Sequence, residues 1–363
     1  MSSSPFMTPG RSRERRMLAD RRRRHRRRRL AFAAAAATAL LAVLLLGVVL
    51  VGSSSEPRGA PRADAHLHAT PPPRQRLSPA GLPLAAPALL LTGLKTPALD
   101  PVHLAFRKPP RAGLLFNLQT GQVLWERNPD KRVRIASLTK MMTALLTVQS
   151  ASPREKVLIS RRATDMAGSK VGVLPAGHRV RLETLLYGLM LPSGNDAAVA
   201  LAERVSGRVS TFVRRMNGEA AALGMGCTHY SSPSGYYDRG NFSCASDLAI
   251  LAQADLAQPR IEHVAHTLSA ALPFPIKGGK LYLYNNNPLL IYHYPGTTGL
   301  KTGYTEASGR CLVATAERHG VRLGVVILNS TEPGIQARDL LDRGFEDVYH
   351  LKAVPEPPMP AGA

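Results

Sequence analysis

From Leu104 to about His350 the chain alternates between strand-like and helix-like hydrophobic spacing, and each stretch predicts an element. Residues 114–118 and 122–126 are apolar-rich runs flanking Gln119-Thr120-Gly121, the pattern of a β-hairpin. Helical spacing takes over at 136–149, where Met141, Leu145 and Leu146 share one apolar face. Further on, LLYGLM and AAVALAERV bracket a turn at 191–196, and the apolar strand CLVATA follows a glycine-rich turn at 295–304. About 250 residues of this kind, without an internal repeat, suit one mixed α/β domain over 104–350.

The rest of the chain reads differently. Residues 30–52, LAFAAAAATALLAVLLLGVVLVG, carry no charge. As a helix they would be about 35 Å long, enough to cross a hydrocarbon core of about 30 Å. The arm before them, 1–29, holds twelve arginines against Glu14 and Asp20, so it supplies about +10 of a net charge of +22. On its own such an arm would suit phosphate neutralisation on a nucleic acid. Beside an apolar span it becomes a topogenic signal that keeps the N-terminus in the cytoplasm. The run is also longer than the apolar core of a signal peptide, about 7–15 residues. We therefore expect an uncleaved signal anchor, a lipid-bilayer partner through residues 30–52 and no nucleic-acid partner. The protein is then expected to be a single-pass cell-membrane protein with everything after Gly52 outside the cytoplasm. Residues 53–103 are rich in proline and alanine and read as a linker, and 351–363 as a proline-rich tail.

Composition narrows the class. With 363 residues and 44% hydrophobic content the chain is too apolar to be disordered throughout. Its mean hydropathy of −0.09 excludes a multi-span membrane protein. Three cysteines neither build a disulfide scaffold nor show zinc spacing. Cys227 and Cys244 flank one loop, which makes them candidates for a disulfide in an exported protein without deciding between a bond and two thiols, and Cys311 reads as a small buried hydrophobe.

Three short motifs carry candidate chemistry. Ser137 and Lys140 are three apart, which on a helix brings hydroxyl and amine to the same side. A neutral lysine can activate a serine if burial and nearby positive charge depress its pKa. A serine cap and a surface lysine would give the same spacing. In Leu191-Pro192-Ser193-Gly194-Asn195-Asp196, Ser193 and Asn195 can relay a proton and hold a carbonyl, or simply form a capping turn. In the segment 295–304, Lys301 and Thr302 can recognise a carboxylate, and Gly303 allows a substrate backbone close to a strand edge. Alone, that segment is a glycine-rich turn into a strand.

The order S-x-x-K, S-x-N, K-T-G is the signature of penicillin-recognising serine acyltransferases. Together with VLPAG, NNNPLL, GTTGLKTGYTEASGRCLVATAER and LLDRGFEDVY, it makes the chain resemble the serine-type D-Ala-D-Ala carboxypeptidases, the low-molecular-mass penicillin-binding proteins. The resemblance covers essentially all of 104–350. It implies a transpeptidase-like α/β fold: an antiparallel sheet of about five strands flanked by helices, with a helical subdomain carrying Ser193. It further implies Ser137 as the acylated nucleophile and Lys140 as its base, with Ser193 passing the proton to the leaving D-alanine. Asn195 would position the lysine and the substrate amide. Lys301 would keep Lys140 neutral and, with Thr302, bind the substrate carboxylate. The N–H groups of Ser137 and Tyr304 would form the oxyanion hole, with Gly303 between the two substrate-binding positions. No cofactor or metal is implied. The implied partners are peptidoglycan stem peptides ending in D-Ala-D-Ala, and β-lactams as inhibitors.

Other readings share these motifs: an endopeptidase cutting cross-links, a β-lactamase, or a wall-binding protein that has lost turnover. Relatives often grip the terminal carboxylate with an arginine, for which Arg338 is the nearest candidate by position although its offset fits poorly. Tyr236 and Tyr237 stand where a leucine is common, and substrate preference is expected to differ there.

Overall fold

The structure, a computed structural model, describes residues 91, 101–236, 239–275, 279–352 and 359. The arginine arm, the apolar run 30–52, most of the linker, Tyr237 and nearly all of the tail lie outside the described residues. Among the described residues no helix is long and apolar enough to cross a membrane.

The chain opens with β1 (Ala112–Asn117) and β2 (Val123–Arg127), followed by β3 (Val133–Arg134), a 3-10 turn (Ala136–Leu138) and α1 (Thr139–Ser150). Next come β4 (Lys156–Leu158), α2 (Arg161–Thr164), β5 (Arg179–Arg181), α3 (Leu182–Met190), α4 (Asn195–Ser206) and α5 (Val209–Ala222). Then follow β6 (Phe242–Ser243), α6 (Ala245–Leu256), α7 (Pro259–His266), β7 (Ser269–Pro273), β8 (Lys280–Tyr284) and α8 (Pro288–Ile291). The last elements are β9 (Thr297–Thr305), β10 (Gly309–Arg318), β11 (Val321–Ser330) and α9 (Pro333–Arg343). Five strands form one antiparallel sheet in the order β2-β1-β11-β10-β9, which leaves β9 at an edge. Two-stranded ribbons β3-β6, β4-β5 and β7-β8 lie outside it.

Both faces of the sheet are buried, which is why its strands read as nearly continuous apolar runs rather than clean alternation. Leu114, Phe116, Val313, Val326 and Leu328 point into a core shared with α1 and α3 to α7. Leu115, Leu312, Ala314, Leu323, Val325 and Ile327 point into a second core with Leu340 and Leu341 of α9 and with Phe345. The folded region begins earlier than Leu104. Val102 is buried, and its N–H bonds the Leu124 carbonyl at 3.0 Å. It also runs past His350, since Leu351 packs on the second core and Met359 is buried in it.

Several local features differ from the sequence expectation, among them the glycine-rich segment 295–304, most of which is strand β9 rather than a turn. β1 stops at Asn117 because its Oδ1 accepts the N–H groups of Gln119 and Thr120, at 2.8 and 2.9 Å, and turns the chain. The helix expected from Ala136 begins as α-helix only at Thr139. Ala136 has φ of +47°, so Ser137 sits in a tight 3-10 turn before α1. Nor does α1 have a single apolar face. Residues 139–148 are all buried, because the helix runs through the middle of the first core. Two of its inward hydroxyls are satisfied, Thr143 donating to the Pro233 carbonyl and Thr147 to the Thr143 carbonyl, each at 2.7 Å, whereas the buried Thr139 Oγ1 has no hydrogen-bond partner among the described residues.

Cys227 and Cys244 form a disulfide with a Cα–Cα distance of 5.8 Å, and Cys311 is free and buried. The bond closes the loop that carries Ser234. For a loop of this length a cross-link contributes about 3 kcal/mol, chiefly by restricting the unfolded chain. Reduction should therefore lower the denaturant midpoint, measured by unfolding with and without reductant. Thiol mapping of the oxidised native protein should label none of the three cysteines, and only Cys311 after unfolding.

Candidate active site

Ser137, Lys140, Ser193, Asn195, Lys301, Thr302, Gly303 and Tyr304 come from three places: the 3-10 turn with the first turn of α1, the α3–α4 connection, and edge strand β9. A cavity of about 400 Å³ is lined by Ser137 and Ser193 on one side and Thr302, Gly303 and Tyr304 on the other. Lys140 and Lys301 lie behind it, each almost wholly buried.

Lys140 Nζ has three oxygen neighbours: Ser137 Oγ at 2.7 Å, Asn195 Oδ1 at 2.8 Å and the Ser234 carbonyl at 2.8 Å. Two of these are amide oxygens that only accept. A neutral amine donates its two protons to them and turns its lone pair toward the one partner that can give a proton, the Ser137 hydroxyl. Burial drives the Lys140 pKa well below the usual lysine value, and the nearby Lys301 ammonium lowers it further. Asp196 opposes the shift but is outweighed. Burial also brings Lys301 down to about 7, so its charge changes within the physiological range. Lys301 Nζ donates to the Thr302 carbonyl at 3.1 Å.

Asn195 is fixed from both ends of its amide. Nδ2 donates to the Ala167 carbonyl at 2.7 Å, which leaves Oδ1 facing Lys140. Asp196, one residue on, accepts the N–H groups of Val171 and Gly172 and so ties the 167–172 segment to the start of α4. Ser193 has φ of +64°, and its Oγ is buried with no hydrogen-bond partner among the described residues although the residue lines the cavity. Packing alone does not account for a buried, unsatisfied hydroxyl on a backbone of this conformation.

The glycines of the site serve close approach. A Cβ on Gly303 would lie 2.9 Å from the Ile135 carbonyl and 3.2 Å from the Ser137 nitrogen, so the contact that Gly303 permits here is between β9 and the serine turn. A Cβ on Gly235 would overlap the Ala136 carbonyl, which is how the loop carrying Ser234 comes to lie against the same turn.

Sequence reasoning missed several of these participants. The Ser234 carbonyl acts through its backbone and has no side-chain signature beyond the neighbouring glycine. Asp196 was visible only as part of the second motif. Arg310 on β10 lines the cavity, whereas Arg338 pairs with its neighbour Asp339 at 2.8 Å and is not among the lining residues.

The family described as D-alanyl-D-alanine carboxypeptidase, peptidase S11, matches residues 110–332. The chain belongs to that family. D-alanyl-D-alanine carboxypeptidase DacF of Bacillus subtilis is 34% identical over 243 residues, which cover 65% of this chain and 62% of DacF. The chain therefore spans less than two thirds of that relative. A D-alanyl-D-alanine endopeptidase of Pseudomonas aeruginosa is 33% identical over 236 residues, 61% of this chain and 76% of that protein. Among solved structures, a variant of the Streptomyces K15 DD-transpeptidase superposes with a TM-score of 0.63 at 31% identity, covering 66% of this chain and 99% of that one. The fold is that of the DD-peptidase members of the penicillin-binding proteins, a mixed α/β architecture with an antiparallel sheet.

If the amine must be uncharged to act, acylation falls about tenfold per pH unit below the Lys140 pKa. Lys301→Gln removes a positive neighbour that lowers this pKa, so the pKa rises and the acidic limb of the acylation profile moves to higher pH. Stopped-flow acylation by a chromogenic β-lactam across pH reads the limb independently of the reduced maximal rate.

Proposed function

We propose that the protein is a serine DD-carboxypeptidase that removes the terminal D-alanine from peptidoglycan stem peptides. The observation that carries this reading is the Lys140 amine, buried and 2.7 Å from Ser137 Oγ, whose other neighbours are pure acceptors.

Neutral Lys140 takes the Ser137 proton as Oγ attacks the carbonyl carbon of the penultimate D-alanine. The N–H groups of Ser137 and Tyr304 stabilise the oxyanion at the edge of the sheet. Lys301 and Thr302 bind the terminal carboxylate, which places the scissile bond over Ser137. When the tetrahedral intermediate collapses, the proton on Lys140 passes through the otherwise unpartnered Ser193 hydroxyl to the departing amine. D-Alanine leaves, and water then hydrolyses the Ser137 ester. No step calls for a metal. A penicillin acylates the same serine, but its leaving group stays tethered and hinders the water.

The relative named as an endopeptidase supports a second substrate, the cross-linked dimer, for the same chemistry. Mass spectrometry of products from a pentapeptide and from a cross-linked dimer separates the two. Release of D-alanine from the pentapeptide, with the dimer left intact, is the expected result. Ser137→Ala should abolish D-alanine release and the penicilloyl adduct with little change in the melting temperature, and the adduct on the unsubstituted protein should persist for minutes or longer. Rapid penicillin turnover without D-alanine release would instead mean a β-lactamase. A stable penicilloyl adduct without release from either peptide would mean a wall-binding protein.

The arginine arm and the apolar run 30–52 support placement in the cell membrane with residues 104–350 outside. The Cys227–Cys244 disulfide suits an oxidising compartment. A reporter fused after Ala363 should be active only outside the cytoplasm, and the full-length chain should fractionate with membranes; a shortened soluble form would indicate cleavage instead.

A further inference from the structure

A second cavity, of about 200 Å³, lies beside the active site and has a different chemistry. Arg111, Arg132 and Arg134 line it together with Ala307, Ser308 and Asn329, and among the described residues no carboxylate does. Arg132 is held by the Gly226 carbonyl, at 2.9 Å, and by the ring of Phe242. The side chains of Arg111 and Arg134 have no hydrogen-bond or ion-pair partner among the described residues. The three guanidinium groups are exposed around one hollow and repel one another, and the Asp247 carboxylate, which acts on Arg132, offsets only part of that charge. Such an arrangement is what an anionic ligand would satisfy.

Its position says which anion. Cys311 lines the active-site cavity, and its Sγ lies 4.0 Å from the Arg134 carbonyl and 3.8 Å from that of Ser308, so a single side chain separates the two cavities. Strand β9 is the open edge along which an extended peptide can pair. With the terminal carboxylate at Lys301 and Thr302 and the scissile carbonyl at Tyr304, the peptide runs antiparallel to β9. Its upstream residues then lead toward Ala307 and Ser308. At about 3.3 Å per residue the basic cavity lies on the order of 10 Å upstream of the scissile bond.

We propose that Arg111, Arg132 and Arg134 form a subsite for a carboxylate of the acyl-donor peptide, two or three residues before the scissile bond. This rests on the carboxypeptidase reading above and adds a specificity determinant to it. All three arginines are carried on or beside strands, Arg111 before β1 and Arg132 and Arg134 at β3, so the backbone at each is fixed and Arg132 is held further by its side-chain contacts.

The test uses two synthetic peptides ending in D-Ala-D-Ala, identical except that one carries a free carboxylate and the other its carboxamide two residues before the acylated D-alanine. For the unsubstituted protein, kcat/KM for D-alanine release should favour the carboxylate peptide by about tenfold, and the preference should shrink as ionic strength rises. Arg134→Gln and Arg111→Gln should each bring the ratio toward one, read against the same variant's rate on the carboxamide peptide, and Arg134→Lys should retain part of it. Each single variant serves as the check on the other if one fails to fold. Equal rates on the two peptides, or a preference that survives both substitutions, would overturn the subsite while leaving the carboxypeptidase reading intact. No release from either peptide would overturn that reading and the subsite with it.

Discussion

Lys140 Nζ is enclosed on every side, and an enclosed ammonium is costly unless its surroundings either neutralise it or hold it with counter-charge. Here they push it toward neutrality. Burial acts first and Lys301 second, while the one nearby carboxylate, Asp196, is occupied with the N–H groups of Val171 and Gly172. The demand for a buried neutral amine explains why α1 runs through the centre of a core rather than along a surface. It also explains why three separate chain segments, at 137, 195 and 234, converge on one nitrogen. Two buried lysines cost stability. The two-sided sheet, with each buried leucine or valine contributing about 1.5–3 kcal/mol, offsets that cost.

The sheet order sets the rest of the geometry. Because β9 is an edge strand, one row of its backbone groups faces outward, and the turn carrying Ser137 is pressed against it through the missing side chain of Gly303. An unprotected edge is ordinarily an aggregation hazard. In the proposed mechanism that edge is where a peptide lies, so the exposed row and the oxyanion donors are the same structure seen from two directions.

The chain disclosed some of this and withheld the rest, for physical reasons. Ser137 with Lys140, Ser193 with Asn195, and Lys301 with Thr302 and Gly303 are readable because local spacing fixes their relation within each group. Of the sheet, the β1–β2 hairpin and the core of β10 are readable as apolar runs bounded by turn residues, whereas its count of about five strands comes only with the family resemblance, and β9, rich in glycine and threonine, reads as a turn. The 3-10 start before α1 is not, because the positive φ at Ala136 is imposed by contact with the 234–235 loop and β9, roughly a hundred or more residues away. The Ser234 carbonyl, the Arg310 lining and the trio Arg111, Arg132 and Arg134 are likewise products of long-range packing. Their members are far apart in sequence and carry no shared pattern. Arg338 is the nearest candidate by position with a poorly fitting offset, and it is engaged with Asp339.

Gly235 and Tyr236 are adjacent, yet they stand under opposite constraints. Gly235 has no room for even one carbon against the Ala136 carbonyl, whereas the Tyr236 ring is partly open to solvent and packs over Gly168. The loop is therefore locked at one residue and bears a partly solvent-open side chain at the next. An evolving lineage could exchange the Tyr236 ring, and with it the packing over Gly168 beside Ser169 of the cavity wall, while the contacts around Lys140 stayed where they were.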